Sequence, residues 1–170
     1  MAGALIVTAE IGSGDFGWLD RLRRSNYPAD RNYLPAHLTI FHALPPSAEA
    51  EARSTLARIA SGPPPRASIE GLIDLGGGVA FRLVSPDLDR MRAELADHFH
   101  GLLGAQDSGG WRPHITIQNK VSPKEARALK TRLERDFQPR PLAIGGLGLH
   151  RYLDGPWEKL ATYAFRAGAS

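Results

Sequence analysis

The chain has 170 residues, of which 42% are hydrophobic and 23% charged, with a formal net charge of +3 and a pI near 9.5. These values are ordinary for one globular domain with a substantial core, and no stretch approaches the roughly 20 apolar residues of a membrane helix. No cysteine is present. This excludes disulfides, thiolate metal sites and cysteine nucleophiles, and it makes a reducing cytoplasm the simplest expectation.

The first half of the chain predicts a strand, a helix, a strand, a helix and a strand, in that order. The expected ranges are 3–9, 14–25, 36–43, 48–60 and 67–75. Pro45-Pro46 ends the second strand, because proline cannot donate to a strand ladder. Ser47 is the expected N-cap of the second helix. Gly76-Gly77-Gly78 supplies the positive φ angles of a hairpin turn after the third strand.

The second half repeats this order of elements. The expected ranges are 79–84, 85–102, 113–119, 123–137 and 141–150, followed by one more strand at 157–166. Each element begins about 75 residues after its counterpart in the first half, which indicates an internal duplication. We therefore expect a single domain of residues 1–170 made of two pseudo-symmetric lobes, at about 1–75 and 76–166.

Each half also contains the same short motif, His-x-Thr-hydrophobic. The copies are His37-Leu38-Thr39-Ile40 and His114-Ile115-Thr116-Ile117, and they lie 77 residues apart (114 − 37). Alternate side chains of a strand share a face, so each copy presents an imidazole and a hydroxyl on one side and an apolar anchor on the other. We expect both strands to be central and to turn these polar faces to one shared cleft, which predicts a proton donor and a proton acceptor on opposite sides of a bound group.

These paired motifs, one in each half of a duplicated α+β chain, resemble those of the two-histidine (2H) phosphoesterases. That superfamily includes the bacterial 2′-5′ RNA ligase-like proteins and the cyclic nucleotide phosphodiesterases. The segments Trp111–Val121 and Tyr152–Trp157 resemble one bacterial branch of it, and the resemblance covers essentially the whole chain. It implies an α+β fold with two antiparallel-rich sheets around a central cleft, helices outside, and the motif residues at the floor of the cleft.

The resemblance implies that His37 and His114 are the catalytic acid and base, and that Thr39 and Thr116 bind phosphate oxygens. Histidine suits both proton transfers near neutral pH, and threonine hydroxyls can donate to oxygens where negative charge gathers in the transition state. The implied reaction is the opening of 2′,3′-cyclic phosphates of RNA ends or nucleotides, with reversible 2′-5′ RNA ligation as a related activity. We expect no cofactor, no metal and no membrane partner, and a monomer as the active form.

Six further residues are candidates for contacting the substrate. Three extend the His/Thr faces (Phe41, Gln118, Lys120), two are aromatic residues that precede the His strands (Tyr33, Trp111), and one is a cation (Arg112). An aromatic side chain there can stack on a base, and a cation can neutralise a phosphate. For each of the six, the alternative is an ordinary residue of a strand edge or of the core.

The sequence favours structural roles for the remaining conspicuous side chains. In a regular strand His42 faces away from His37, which lies five residues earlier. Arg21, Arg23 and Arg24 lie among acids at helical spacing, as residues of a solvated helix face do. Structural roles are also expected for three histidines and for two aromatic residues of the last hairpin, namely His98, His100, His150, Tyr152 and Trp157.

Two other functions remain open at this point. One is a nucleotide- or RNA-binding module whose catalysis is weak or lost, although a pure binder would tolerate the decay of one motif and both are intact. The other is a metal-dependent hydrolase that uses His37, His42 and His114, although neither motif contains a supporting carboxylate. The sequence leaves open which histidine is the base, which phosphate is the natural substrate, and whether a 2′- or a 3′-phosphate is released.

Overall fold

The computed structural model describes residues 3–166, which form two four-stranded antiparallel sheets and five α-helices. The strands are β1 (Leu5–Ile11), β2 (Leu38–Leu44), β3 (Ala67–Asp74), β4 (Val79–Val84), β5 (His114–Gln118), β6 (Arg140–Leu142), β7 (Ile144–Tyr152) and β8 (Trp157–Ala164). The helices are α1 (Ser13–Asn26), α2 (Glu49–Ala60), α3 (Pro86–His98), α4 (Ala105–Ser108) and α5 (Pro123–Arg135). The predicted strand at 141–150 is divided into β6 and β7, and the short helix α4 was not predicted.

The strand order is β2-β1-β7-β8 in the first sheet and β5-β4-β3-β6 in the second, and all neighbours are antiparallel. The first three strands correspond: β2-β1-β7 in the first sheet takes the same places as β5-β4-β3 in the second. The duplicated units therefore exchange their third strands, since β3 joins the second sheet and β7 joins the first. This α+β arrangement of two sheets agrees with the fold expected from the sequence.

The exchange corrects the predicted lobe boundaries at about 1–75 and 76–166. The first sheet combines residues 5–44 with residues 144–164, and the second sheet takes β3 from the first half. The order of elements along a chain does not fix which sheet a third strand joins. Both β1 and β4 offer it the same ladder of backbone N–H and C=O groups. That residues 1–170 form a single domain stays a prediction, and its ends at 1–2 and 167–170 lie outside the described residues.

Serine and proline begin α3 and α5, as expected. The Ser85 hydroxyl accepts a hydrogen bond from the Leu88 N–H at 3.0 Å, and the Ser122 hydroxyl accepts one from the Glu125 N–H at 3.1 Å. The prediction that Ser47 caps α2 is wrong. Ser47 lies inside a 3₁₀ turn, Pro46–Ala48, and α2 begins after it without a side-chain cap.

The helices cover the outer faces of the sheets, as predicted. α2 packs on β7 and β8, whereas α1 crosses to β5 and α5 packs on β3 and β4. Trp18 of α1 meets Phe81 of β4 edge-on, with ring centroids 5.5 Å apart. One continuous cluster of buried apolar side chains includes residues of both sheets. This shared core fixes the two sheets relative to each other and so sets the geometry of the cleft between them.

Candidate active site

The two His-x-Thr strands, β2 and β5, are edge strands of their sheets and lie next to each other. The prediction that both are central is therefore corrected. Side chains from elsewhere satisfy their outer carbonyl groups at equivalent positions. The Trp111 indole N–H donates to the Thr39 carbonyl at 3.3 Å, and the Arg23 guanidinium donates to the Thr116 carbonyl at 3.0 Å. These bonds link the two motif strands to residues of other elements.

Both motif histidines make the same local hydrogen bond. Nδ1 of His37 donates to the Pro35 carbonyl at 2.9 Å, and Nδ1 of His114 donates to the Arg112 carbonyl at 2.8 Å. A carbonyl only accepts, so Nδ1 carries the hydrogen in both rings and Nε2 is left to accept or deliver a proton. Each backbone therefore selects the same tautomer for its own histidine.

Burial in the cleft lowers the pKa of His37 from 6.5 to about 4. Its hydrogen bond to the Pro35 carbonyl opposes this shift, whereas the positive charges of Arg23, His114 and His150 add to it. Nearby positive charges disfavour a further positive charge on the ring. His37 is consequently a neutral imidazole over the whole physiological pH range.

Each motif strand contains one extra residue directly after its threonine. Thr39 pairs with Thr8 and Phe41 with Val7, so Ile40 is a bulge in β2. The pairs of β5 show the same shift at Ile117. Bulges of this kind reverse the alternation of side chains and often lie beside active sites.

The bulges turn two predicted substrate contacts into the core. Phe41 is 0% exposed and shares its face with Val7, and Gln118 is 5% exposed and shares its face with Val79. The prediction that they line the cleft is wrong, because it assumed regular alternation beyond each threonine. Lys120 lies in the turn after β5, with φ at 63°, and lines neither of the cavities beside the histidines.

A cavity of about 490 Å³ lies beside His37, and Tyr33 is part of its wall. Trp157 also lines it and meets His37 edge-on, with ring centroids 4.8 Å apart. His150 lies 5.3 Å from the same indole ring. Trp157 and His150, for which the sequence favours structural roles, thus also form part of the wall of the cavity next to His37.

Polar side chains converge at the floor of this cavity, above Gly148. Nε2 of His150 lies 2.9 Å from the Thr8 hydroxyl, and the Glu10 carboxylate lies 3.1 Å from the Lys159 ammonium. A Cβ atom at Gly148 would lie only 2.6 Å from the Thr8 hydroxyl and 2.9 Å from His150 Nε2. Glycine at this position therefore makes room for the polar cluster.

A second cavity of about 390 Å³ lies beside His114. It is lined by Trp111 and Arg112, two of the candidate substrate contacts, and by His42 and Arg92. His42 therefore does not face away from the site. The bulge at Ile40 shifts the alternation by one residue and turns this imidazole toward the cavity.

A family model matches most of the chain. The model of the 2′-5′ RNA ligase superfamily matches residues 13–156. The chain belongs to that superfamily. The predicted resemblance to the two-histidine phosphoesterases is thereby confirmed. A comparison with curated proteins finds no significant match.

Solved structures share the fold of this superfamily member. TT0787 of Thermus thermophilus superposes with a TM-score of 0.66 at 17% identity, covering 98% of this chain and 100% of that chain. E. coli LigT complexed with 3′-AMP gives a TM-score of 0.61 at 17% identity, covering 97% and 99%. E. coli LigT complexed with NADP⁺ gives 0.59 at 16% identity, with the same coverage. The likeness extends over nearly the full length of both chains.

Arg23 is a site residue of this superfamily member that the sequence did not reveal. It is 3% exposed, so the prediction of a solvated helix face is wrong for this position. Its Nε–H donates to the Asn32 side chain at 2.9 Å, and its guanidinium lies 4.3 Å from the centre of the Tyr27 ring. The available signal was its place one turn after buried Leu19, on the apolar stripe of α1.

Residues 3–166 contain neither a candidate metal centre nor a helix that could span a membrane. No set of three or more histidine, aspartate or glutamate side chains is arranged to hold a metal ion in this part of the chain. Within the same residues, every helix is too short or too polar to cross a membrane.

Proposed function

We propose that the protein is a metal-independent phosphodiesterase that opens 2′,3′-cyclic phosphates of RNA ends or nucleotides. The observation that carries this proposal is the matched pair of His37 and His114. Each ring has its Nδ1–H held by the carbonyl two residues earlier, so both Nε2 atoms are free for proton transfer. Membership of the 2′-5′ RNA ligase superfamily supports the same class of reaction.

We assign the two roles in this proposal from the lowered pKa of His37. His37 is neutral above about pH 4, so its Nε2 is the base that takes a proton from the attacking water. His114 is then the acid. The water oxygen forms a bond to phosphorus as the bond to one ribose oxygen breaks, and His114 Nε2 delivers its proton to that leaving oxygen. The product is a phosphate monoester, and proton exchange with solvent restores both rings.

The hydroxyl groups of Thr39 and Thr116 donate to the non-bridging phosphate oxygens in this proposal. These oxygens gain charge as the fifth bond to phosphorus forms, so donors that are already in place lower the barrier. The same residues in the same roles would join RNA ends slowly if a 5′-hydroxyl took the place of water: its oxygen bonds to phosphorus and gives its proton to His37, while the bond to the 3′-oxygen breaks and that oxygen takes the proton of His114.

The cavity beside His37 is the proposed nucleoside site. Tyr33, 63% exposed, and Trp157 offer two aromatic surfaces there, and base–aromatic stacking contributes about 1–3 kcal/mol per base in single-strand binders. LigT, which shares this fold, has been crystallised with 3′-AMP. A nucleoside in the cavity beside His37 would hold its phosphate next to that histidine.

An assay of the chelator-treated protein tests the proposal. The substrates are the four nucleoside 2′,3′-cyclic phosphates and RNA oligonucleotides that end in a 2′,3′-cyclic phosphate. We expect hydrolysis to a phosphate monoester at the same rate with and without chelator. Abolition of activity by chelator would favour the metal-dependent alternative, and tight nucleotide binding without turnover would favour the binding module.

A further inference from the structure

His42 and Asp107 form a fixed pair beside the candidate active site. The imidazole Nδ1–H donates to Asp107 Oδ1 at 3.0 Å. The same carboxylate accepts the backbone N–H groups of His42 and Ala43, at 2.9–3.0 Å. These N–H groups are on the open edge of β2, where no neighbouring strand can bond them. Asp107 therefore both completes the strand edge and orients the ring.

Asp107 keeps its negative charge in this arrangement. It is 2% exposed, and burial alone would raise its pKa. The hydrogen bonds from His42 and from the two backbone groups outweigh burial and lower the pKa below 3.8. With Nδ1 held by this carboxylate, Nε2 of the His42 ring is left to contact a group bound in the cavity beside His114.

Arginine side chains reinforce the positive charge of this cavity. The Arg92 guanidinium donates to the Asp107 carbonyl at 2.6 Å and lies over the rings of Phe41 and Trp111, at 4.9 and 5.5 Å. Arg112 is exposed at the rim. Of the two carboxylates that line the cavity, Asp107 is held by hydrogen bonds from His42 and from backbone N–H groups. The other, Asp74, accepts the Gly76 N–H at 2.7 Å.

We propose that this cavity binds a second phosphate group of the substrate, with His42 Nε2 and Arg112 as donors. The inference rests on the proposed function, because it takes His37 and His114 to hold the cyclic phosphate. It follows that the preferred substrates are 2′,3′-cyclic phosphates whose ribose also carries a 5′-phosphate or a 5′-phosphodiester, as an RNA end does. A nucleoside 2′,3′-cyclic phosphate leaves the second site empty and is a poorer substrate.

Binding of product analogues tests this inference without requiring turnover. The probes are adenosine 3′-monophosphate, adenosine 3′,5′-bisphosphate, and the dinucleotide ApAp, which carries a phosphodiester in place of the terminal 5′-phosphate. Calorimetry should show that the wild-type protein binds the two longer probes about tenfold more tightly, since hydrogen bonds to charged groups are each worth about that much or more. An equal gain in affinity for the bisphosphate and for ApAp would show that the site accepts a phosphate monoester or a phosphodiester. A gain in affinity for ApAp alone would identify a polynucleotide as the ligand.

His42→Ala should reduce this preference severalfold, since only Arg112 then remains as a donor, and His42→Gln, which keeps a donor at a similar position, should retain more of it. His100→Ala is the matched control, because His100 is exposed and lines neither cavity. In the wild type, the NMR signals of the His42 ring should move on addition of adenosine 3′,5′-bisphosphate and not of adenosine 3′-monophosphate.

The outcomes separate this inference from the proposed function. Equal binding of all three probes, binding of none, or a preference that is unchanged in His42→Ala would overturn the second phosphate site. None of these results would contradict the proposed hydrolysis of 2′,3′-cyclic nucleotides. A preference that depends on His42, in a protein that opens no cyclic phosphate, would instead overturn the proposed reaction and leave the binding site.

Discussion

Arg23 of α1 donates a hydrogen bond to the carbonyl oxygen of Thr116 at 3.0 Å, across 93 residues of sequence. A helix that follows a strand of the first sheet thereby holds the His-x-Thr strand of the second. The same guanidinium lowers the pKa of His37. One buried cation thus acts on both motifs, on the backbone of one and on the electrostatics of the other.

Replacing Arg23 should therefore weaken the protein. In Arg23→Met the apolar part of the side chain is retained, but the bonds to Asn32 and Thr116 are lost. We expect a loss of about 1.5–3 kcal/mol in the free energy of unfolding, as for hydrogen bonds made by a charged group. Urea denaturation measures this. Arg21→Met, at an exposed position of the same helix, is the control and should change stability by less than about 0.5 kcal/mol.

The same variant should change the pH dependence of activity. Activity requires neutral His37, so kcat/KM falls as the pH drops through the lower pKa of the histidine pair. Because burial and nearby cations hold the pKa of His37 at about 4, the acid limb should lie well below pH 6.5. Loss of the Arg23 charge raises this pKa, so the limb should move to higher pH in Arg23→Met. An unmoved limb would show that the Arg23 charge does not reach the base.

Removal of either motif histidine should abolish most of the activity. We expect His37→Ala and His114→Ala each to reduce kcat by about 10²–10⁴-fold, the usual contribution of a general acid or base. Thr39→Val and Thr116→Val should cost less, since each removes one of several donors to the phosphate. Steady-state assays on a 2′,3′-cyclic nucleotide measure all four, with His100→Ala as the unaffected control. A loss of less than about threefold for either histidine would contradict acid–base catalysis by this pair.

The sequence predicted the motif residues and the order of elements, because both depend on local patterns. His37 and Thr39 stand two residues apart, and their counterparts in the second motif do the same. The starts of α3 and α5 followed from the serine and proline there, whereas both helices end before the predicted positions 102 and 137. Such signals operate over a few residues and do not require knowledge of the partner strand.

What the sequence could not predict depends on pairing between distant segments. The bulges at Ile40 and Ile117 exist only in the pairing of their strands with β1 and β4. The bulge at Ile40 buries Phe41 and turns His42 toward a cavity. The exchange of β3 and β7 is likewise a choice between two similar edges. Sheet register, not propensity, therefore set the parts of the site that sequence patterns missed.

Stability should fall at mildly acid pH because of His37. Its pKa is about 4 in the folded protein and 6.5 as the ordinary value, so the unfolded chain binds the proton more tightly. The stabilisation is complete above pH 6.5 and is lost as the pH falls towards 4, by at most about 3 kcal/mol. Urea denaturation between pH 7 and 4.5 should show a smaller loss for His37→Asn than for the wild type. Equal losses would show that another group controls this transition.

Gly148→Ala should disturb the nucleoside cavity. The new methyl group would lie 2.6 Å from the Thr8 hydroxyl and 2.9 Å from His150 Nε2, so these side chains must move, at a cost of about 1–3 kcal/mol in stability. Because they form the floor of the cavity and not the proton-transfer pair, KM should rise more than kcat falls. Gly145→Ala is the matched control on the same strand, since a Cβ atom there has no neighbour within 4 Å. If both variants kept the wild-type KM, the cavity beside His37 would not be where the nucleoside binds.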